Sequence, residues 1–426
     1  MRFSAVLLAS MLATSTFAGT STINPTTTNN DDSCDIAVQP AATLLLPYFE
    51  VDFKSPQTTA TQTLFTVQNV SPLPQIAHVT LWTDWGYPAL NFPIFLTGYD
   101  VQGINLYDIF VHATIVPGPY PGVAGTSSDT SVPRNATSGS QPLQNDANPK
   151  ISLQHCSYLP GVFSQLLKSD LQLVFTTGKA SGHFIPCPKP IGGVHAHAIG
   201  YATIDVASAC STSLPSEPSY WSELLYDNVF AGDYQQITPR DGGLTVQSGS
   251  LVHIRATDAA LPRTFYERFA PQMSDRRQPL PSVFVPRIVS GGGFNTTLKI
   301  WREVIAAGVY CSPAYSSNAY LPFVDEVRFD EHENATLIST CILGNCPPGP
   351  STAVVSAIDA KLGWFPPAGY TSDVGGWFYL NFGSQSWVIV TMSGDGIFNA
   401  TDLAAPALAN GCTAAPKAGA QIGPLP

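Results

Sequence analysis

In residues 78–84, His-Val-Thr-Leu-Trp-Thr-Asp, apolar and polar side chains largely alternate. A period of two sends Val79 and Leu81 to one face of a strand, and His78, Thr80, Trp82 and Asp84 to the other. Trp85-Gly86-Tyr87-Pro88 follows as a corner, where Gly and Pro end the strand. The Val79/Leu81 face is expected to meet an opposing sheet. Trp82 then points outward and needs a cover, either the later loop excursion or a ligand. Trp82 and Trp85 are thus the candidate binding residues, weighed against a core-and-corner reading.

The same texture fills residues 41–110. TLLLPYFEVDF, TQTLFTVQNVS, AHVTLWTDWG, LNFPIFLTGYD and VQGINLYDIF are rich in β-branched and aromatic residues and bounded by Pro, Gly or Asn. Short strands at this spacing predict an antiparallel sandwich. A Pro-, Gly-, Ser- and Thr-rich break at 112–150 reads as a long surface loop. Val162, Leu166 and Leu167 lie at helical spacing and predict one short helix over 160–169. LQLVFTTG and HAIGYATIDVAS then read as two more strands, completing a first domain over 34–211. After a linker, LLYDNVFAGDYQQI, SLVHIRATD, SVFVPRIV, NTTLKIWREV, YLPFVDEVRFD, ATLISTCIL, GWFYLNFG and SWVIVTMSG predict a second strand-rich domain over 212–412. The expected fold class is mainly β: two antiparallel β-sandwich domains, the first immunoglobulin-like, with long loops and a disordered tail at 413–426.

The chain begins MRFSAVLLASMLATSTFAGT, one Arg before a short apolar run, with small residues ahead of Gly19. That is the layout of a secretory signal peptide over 1–18, and 19–33 reads as a polar, flexible lead-in. No later stretch is long and apolar enough for a spanning helix, so no integral membrane segment is expected. The expected location is exported: periplasmic, cell-surface or extracellular. Removing Arg2 with the leader takes the formal charge from −11 to −12. Without a Lys/Arg cluster, nucleic acid is excluded as a partner, which leaves protein or glycan.

Eight cysteines in an exported chain read as disulfides. Cys341 and Cys346 are close enough in sequence to bridge a tight loop. Cys156–Cys187, Cys34–Cys210 and Cys311–Cys412 are the other expected pairs, because each would tie segments near the ends of the domains. No Cys-x-x-Cys spacing points to a metal.

Three constellations could hold a metal. His195 and His197 stand two apart, which on a strand puts both imidazoles on one face, where they could hold one ion such as zinc, with His183 or a carboxylate as further ligands. The alternative is a pair of histidines on a solvated face. Asp325, Glu326, Asp330, Glu331 and Glu333 concentrate oxygen ligands suited to calcium, without the spacing of an EF-hand loop. An acidic hairpin tip would read the same way. Asp395, Asn399 and Asp402 are a third set, within a Gly-Asp-Gly turn. No resident cofactor is required by any of these. Nucleophile elbows, metalloprotease helices and phosphate-cradling glycine loops are all missing from the sequence, so catalytic residues are not assigned.

FTVQNVSPLPQIAHVTLWTDWGYPALNFPIFLTGYDVQGINLYDIF resembles the N-terminal part of an uncharacterised family of exported bacterial proteins. YDNVFAGDYQQITP, SLVHIRA and GWFYLNFG with SWVIVTMSGDGIFNATDLAAPALANGC are similar to its middle and end. Asn69 at a strand end and the Tyr-bearing corner also resemble bacterial immunoglobulin-like modules. The resemblance implies a bacterial source, export and an immunoglobulin-like sandwich, and carries no activity. The sequence therefore predicts an exported non-enzymatic β-sandwich protein with a structural or adhesive role. Its rivals are a glycan- or ligand-binding module using exposed tryptophans, such as Trp82, Trp85, Trp221 or Trp364, and a hydrolase with an unrecognised site.

Overall fold

In the computed structural model, the described residues are 39–115, 148–152, 163–258, 264–265, 275–303, 325–340, 355–359 and 375–409. Isolated positions within those spans (184, 186, 189, 216, 241–242, 290–293, 395–397 and 406) are excepted. The expected signal peptide and lead-in, most of the 112–150 excursion, the expected tail, Trp364 and Asp395 lie outside them.

The first half of the chain builds two facing sheets. Its strands are β1 (Thr43–Val51), β2 (Gln62–Asn69), β3 (Gln75–Thr83), β4 (Pro88–Leu96), β5 (Val101–Asn105) and β6 (Ala198–Ala207). They are joined by β7 (Phe230–Ala231), β8 (Asp233–Arg240), β9 (Gly243–Ser250) and β10 (Val252–Ile254). The first sheet runs β10-β1-β6-β3-β4 and the second β5-β2-β8-β9, with β7 beside β2. Leu44, Val79, Leu81 and Ile204 of the first sheet meet Phe65, Val67 and Tyr234 of the second in one apolar layer. The expected Val79/Leu81 face is therefore the face that meets the opposing sheet.

Proline places two features of the first sheet. Pro93 has no N–H to give a neighbour, and its strand β4 is the sheet's edge. Pro47 sits where the β1–β6 register shifts, between Leu46 and Phe49. The β3–β4 turn closes on Gly86 at φ 75°, a left-handed conformation that glycine adopts without strain.

The second half builds a third and a fourth sheet. Its strands are β11 (Val283–Phe284), β12 (Arg287–Ile288), β13 (Phe294–Arg302), β14 (Asp325–Asp330) and β15 (Ala335–Thr340). They continue with β16 (Val355–Asp359), β17 (Gly376–Asn381), β18 (Ser386–Gly394), β19 (Phe398–Ala404) and β20 (Ala407–Ala409). The third sheet runs β16-β13-β18-β19 and the fourth β15-β14-β17-β11-β20, with β12 beside β17. Leu298, Ile300, Val388 and Val390 of the third face Phe284, Phe378 and Leu380 of the fourth.

The fold is thus mainly β with antiparallel sheets throughout, as the residue pattern predicts. An immunoglobulin-like arrangement of the first half is not established by it. The expected boundary at 211/212 falls inside the architecture, because β7 to β10 complete both sheets of the first half.

The expected strand LQLVFTTG is instead helix. It belongs to α1 (Gln165–Thr177), longer than the helix expected at 160–169 and shifted along the chain. The Ser164 hydroxyl accepts the Leu167 N–H at its start, and Gly178 ends it at φ 65°. Leu171, Val174 and Phe175 have helical spacing and pack into the first core. Period two and period 3.6 are hard to separate over so short an apolar run, and the two caps decide between them. A π-helical turn follows β5 at Asp108–His112, and a short α2 spans Pro218–Glu223 with Pro at its first turn.

Both faces of the first sheet are covered, which answers what lies over Trp82. Its indole is fully buried and stacks flat on Tyr201 of β6, with centroids 5.5 Å apart and planes 3° apart. Nε1–H donates to the Thr203 hydroxyl at 2.8 Å. Trp301 of β13 stands edge-on to Tyr201 at 5.9 Å, and Phe265 stacks on Trp301 at 5.6 Å. Among the described residues the cover is therefore the second half of the chain. Trp82 is corrected from binding candidate to core. Trp82→Ala is expected to destabilise the whole protein by about 3–5 kcal/mol. Trp82→Phe should cost less, keeping the ring contact while leaving Thr203 without its donor; urea denaturation measures both.

Candidate functional site

The polar groups of the first sheet gather at two places. One is the end where β6 begins; the other is its covered outer face.

β6 runs between β1 and β3, so the residues just before it can reach either neighbour. His195 and His197 reach one each. His195 Nε2 lies 2.8 Å from Oδ2 of Asp84, which follows β3 directly. The Asp84 carboxylate is 3% exposed and its other oxygen accepts the Gly193 N–H at 2.8 Å. The loop comes so close that a Cβ on Gly193 would stand 2.5 Å from Asp84 Oδ2, so any larger residue there would have to displace the Asp84–His195 pair. The Thr83 hydroxyl donates to the Ile191 carbonyl at 2.6 Å, and the His195 N–H donates to the Thr176 carbonyl at the end of α1. Helix, loop and strand end are thereby laced together.

His197 turns the other way. Its Nδ1 lies 2.6 Å from Glu50 Oε1 on β1, and its Nε2 lies 3.9 Å from Asp52 Oδ2. The Tyr48 hydroxyl donates to the second Glu50 oxygen at 3.0 Å. Burial works to raise the Asp52 carboxyl, but hydrogen bonds from Ser55 and the Lys54 N–H, with His197 nearby, hold it below its ordinary value.

The expectation of one shared ion at His195 and His197 is thereby corrected. One imidazole is oriented by a carboxylate on β1 and the other by one just past the end of β3, because residues 195–197 precede the strand and do not lie on it. His183 is exposed and its Nδ1 lies 3.1 Å from the Ser181 hydroxyl. Among the described residues, no group of three or more His, Cys, Asp and Glu stands close enough to hold a metal ion. An imidazole held by a carboxylate is the arrangement of a general base or of a supported metal ligand. His195 has that orientation with its ring 22% exposed.

The acidic stretch is a hairpin tip, the plainer of its two readings. Asp330 accepts the His332 and Asn334 N–H groups and the Asn334 side-chain amide, at 2.8, 2.9 and 2.8 Å. Asn334 is the largest influence holding that carboxyl below its ordinary value. Glu331 pairs with Arg287 at 2.8 Å, and Glu333 takes a left-handed turn position at φ 64°. Glu326 points inside, away from these. Asp325 opens β14, in register with Asn381. In the third candidate set, Asn399 and Asp402 lie on β19.

Both described cysteines, Cys187 and Cys210, are buried and disulfide-bonded. Their expected partners, Cys156 and Cys34, lie outside the described residues, as do Cys311, Cys341, Cys346 and Cys412. Trp85 is half-buried at the turn. Trp221 is also half-buried, its Nε1–H donating to the Pro215 carbonyl at 2.8 Å.

The outer face of the first sheet holds a charge network that the sequence pattern missed. Arg277 Nη1 donates to Asp205 Oδ1 at 2.7 Å, and its Nε donates to Asp275 Oδ1 at 3.0 Å. The Tyr220 hydroxyl of α2 donates to the other Asp205 oxygen at 2.6 Å, and the Thr43 hydroxyl to the first at 2.6 Å. All five side chains are at most 2% exposed. Burial pushes the Tyr220 hydroxyl well above its ordinary range, reinforced by Asp205. Burial opposes the charge on Arg277, yet Asp275, Tyr220 and Asp205 together hold it well above its ordinary value. His78 stands edge-on to Tyr220 at 5.7 Å, and burial lowers its basicity against the pull of Asp205 and Glu223. One signal was present in the sequence. Asp205 alternates in phase with Tyr201 and Thr203, so it was bound to face the same side as those two and to need a buried partner.

No protein-family model, curated protein or solved structure matches the chain.

The two kinds of ion pair should separate sharply by mutation. Arg277→Ala strands a buried carboxylate and is expected to cost about 3–5 kcal/mol. Arg287→Ala removes an exposed partner of Glu331 and should cost at most about 1 kcal/mol. Chemical denaturation of the two variants beside the wild type is the check.

Proposed function

We propose that the protein is an exported, disulfide-linked β-sandwich protein with a structural or adhesive role at the cell surface or in the surrounding medium, and not an enzyme. The observation that supports this most is where the reactive side chains are engaged. Trp82 is core, His195 and His197 brace strand ends, and Asp205 and Arg277 neutralise each other under a cover of chain. These groups stabilise a rigid body; they do not converge on an open cleft. The oxidised state of Cys187 and Cys210 fits an oxidising compartment. Among the described residues no helix is long and apolar enough to cross a membrane.

A second reading, a glycan- or ligand-binding module, has its own support away from Trp82. Phe329 and Trp377 are paired across β14 and β17 on the face turned away from the third sheet. They are half-buried, with rings stacked at 5.5 Å, and the exposed Arg287 is Trp377's neighbour on β12. Aromatic side chains with arginine are the usual anchors of a recognition surface.

Production of the full chain in a bacterial host is expected to place it in the periplasm or medium, with no thiol free to react until it is denatured and reduced. Reduction should lower stability by about 2–5 kcal/mol. Recovery of the chain in the cytoplasm with reactive thiols would overturn the exported reading. Retention on immobilised polysaccharides that is lost on Trp377→Ala would favour the second reading over the first.

A further inference from the structure

The fourth sheet carries a carboxyl on its inner face. Glu326 is in register with Leu380 on β17 and alternates with Val327, which turns it to the side of Phe378 and Leu380, toward the third sheet. It is 3% exposed, and its Oε1 has no hydrogen-bond partner among the described residues. The third sheet contributes the apolar side chains of Leu298, Ile300, Val388 and Val390 to this layer. Two cations share the layer. Arg328, two residues along the same strand, lies 5.9 Å from the Phe378 ring centroid, and Arg302 of β13 lies 4.9 Å from that of Phe382. Neither forms an ion pair with Glu326 among the described residues. In register, Asp325 and Tyr379 lie opposite Asn381 and Val327, and Asp359 and Asp402 lie opposite Thr297 and Thr391. The hairpin residues Asp330 and Glu331 are engaged at the tip. On β15 the residue opposite Glu326 is Ser339.

A carboxylate ion without a counter-charge or donor cannot be held in such a layer, whereas the neutral acid can. We propose that Glu326 is a proton-binding site of the folded protein: the chain takes up a proton there as it folds near neutral pH, and losing it in alkaline surroundings loosens the fourth sheet from the third.

Burial alone pushes this carboxyl from its ordinary 4.5 up to about 8. The folded form therefore holds the proton more tightly than the unfolded chain. The stability this contributes is complete below the ordinary value and is lost as pH rises toward about 8. The same side chain would keep the protein firm in acidic to neutral surroundings and make it yield in alkaline ones.

The test compares the full chain with Glu326→Gln by denaturant titration from about pH 4 to about pH 10. The wild-type folding equilibrium is expected to weaken relative to the variant by up to about tenfold per pH unit between about 4.5 and 8, with no further divergence outside that window. Parallel curves would overturn the proposal. Infrared spectroscopy of the folded wild type alone covers the case in which the variant does not fold. A protonated-carboxyl stretch at neutral pH that disappears on raising the pH is expected, and its absence at neutral pH refutes the site.

Discussion

The ion pair between Arg277 and Asp205 is the constraint on which the arrangement of layers depends. A guanidinium and a carboxylate at 1% exposure each are tolerable only while they face one another with their remaining hydrogen-bonding capacity filled. Asp275, Thr43 and Tyr220 fill much of it, and each comes from a different segment: the strand that opens the first sheet, the short helix after it, and the chain entering the second half. The pair thus fixes where that entering segment lies. Leu280, close behind Arg277, then joins Trp82, Tyr201 and Trp301 in one apolar cluster. Removing water from the charges and packing the aromatic rings are one event, since the same stretch of chain does both.

That coupling explains why so much of the strand pattern was legible and so little of the site. Alternation along 43–51, 62–69, 75–83 and 198–207 places the right residues on the right faces, because a strand's period is set by its own backbone. The helix at 165–177 was misread in part because Leu171, Leu173, Val174 and Phe175 form a short apolar run compatible with either period. The covering of Trp82 was not legible, since alternation reports a face and not what lies on it. The spacing of His195 and His197 marks them in the sequence, but as ligands of one ion and not as partners of separate carboxylates. Their partners Asp84 and Glu50 lie far off in sequence and are brought near only by the position of β6 between β1 and β3.

The buried polar groups also show how the two halves are registered against each other. Lys299 of the third sheet extends its ammonium to Gln236 and Gln247, on neighbouring strands of the second sheet, at 2.5 and 2.8 Å. The Tyr48 ring lies 5.6 Å from the same nitrogen. An apolar contact there would tolerate sliding of one sheet over another; a lysine between two fixed carbonyl oxygens does not. Polar contacts of this kind give one arrangement a clear advantage over its near neighbours.

The closing of β1 by β10 bears on how the chain comes to be made. Thr43 pairs with Ile254, so the first described strand to emerge from a ribosome waits for nearly the last piece of the first half before that edge is sealed. Until then the nascent chain presents an apolar strand with unpaired backbone groups, open to pairing with any other extended chain. Early segments of such a chain stay open to mispairing until the later strand arrives, and a truncation before residue 254 would leave a sheet competent to aggregate.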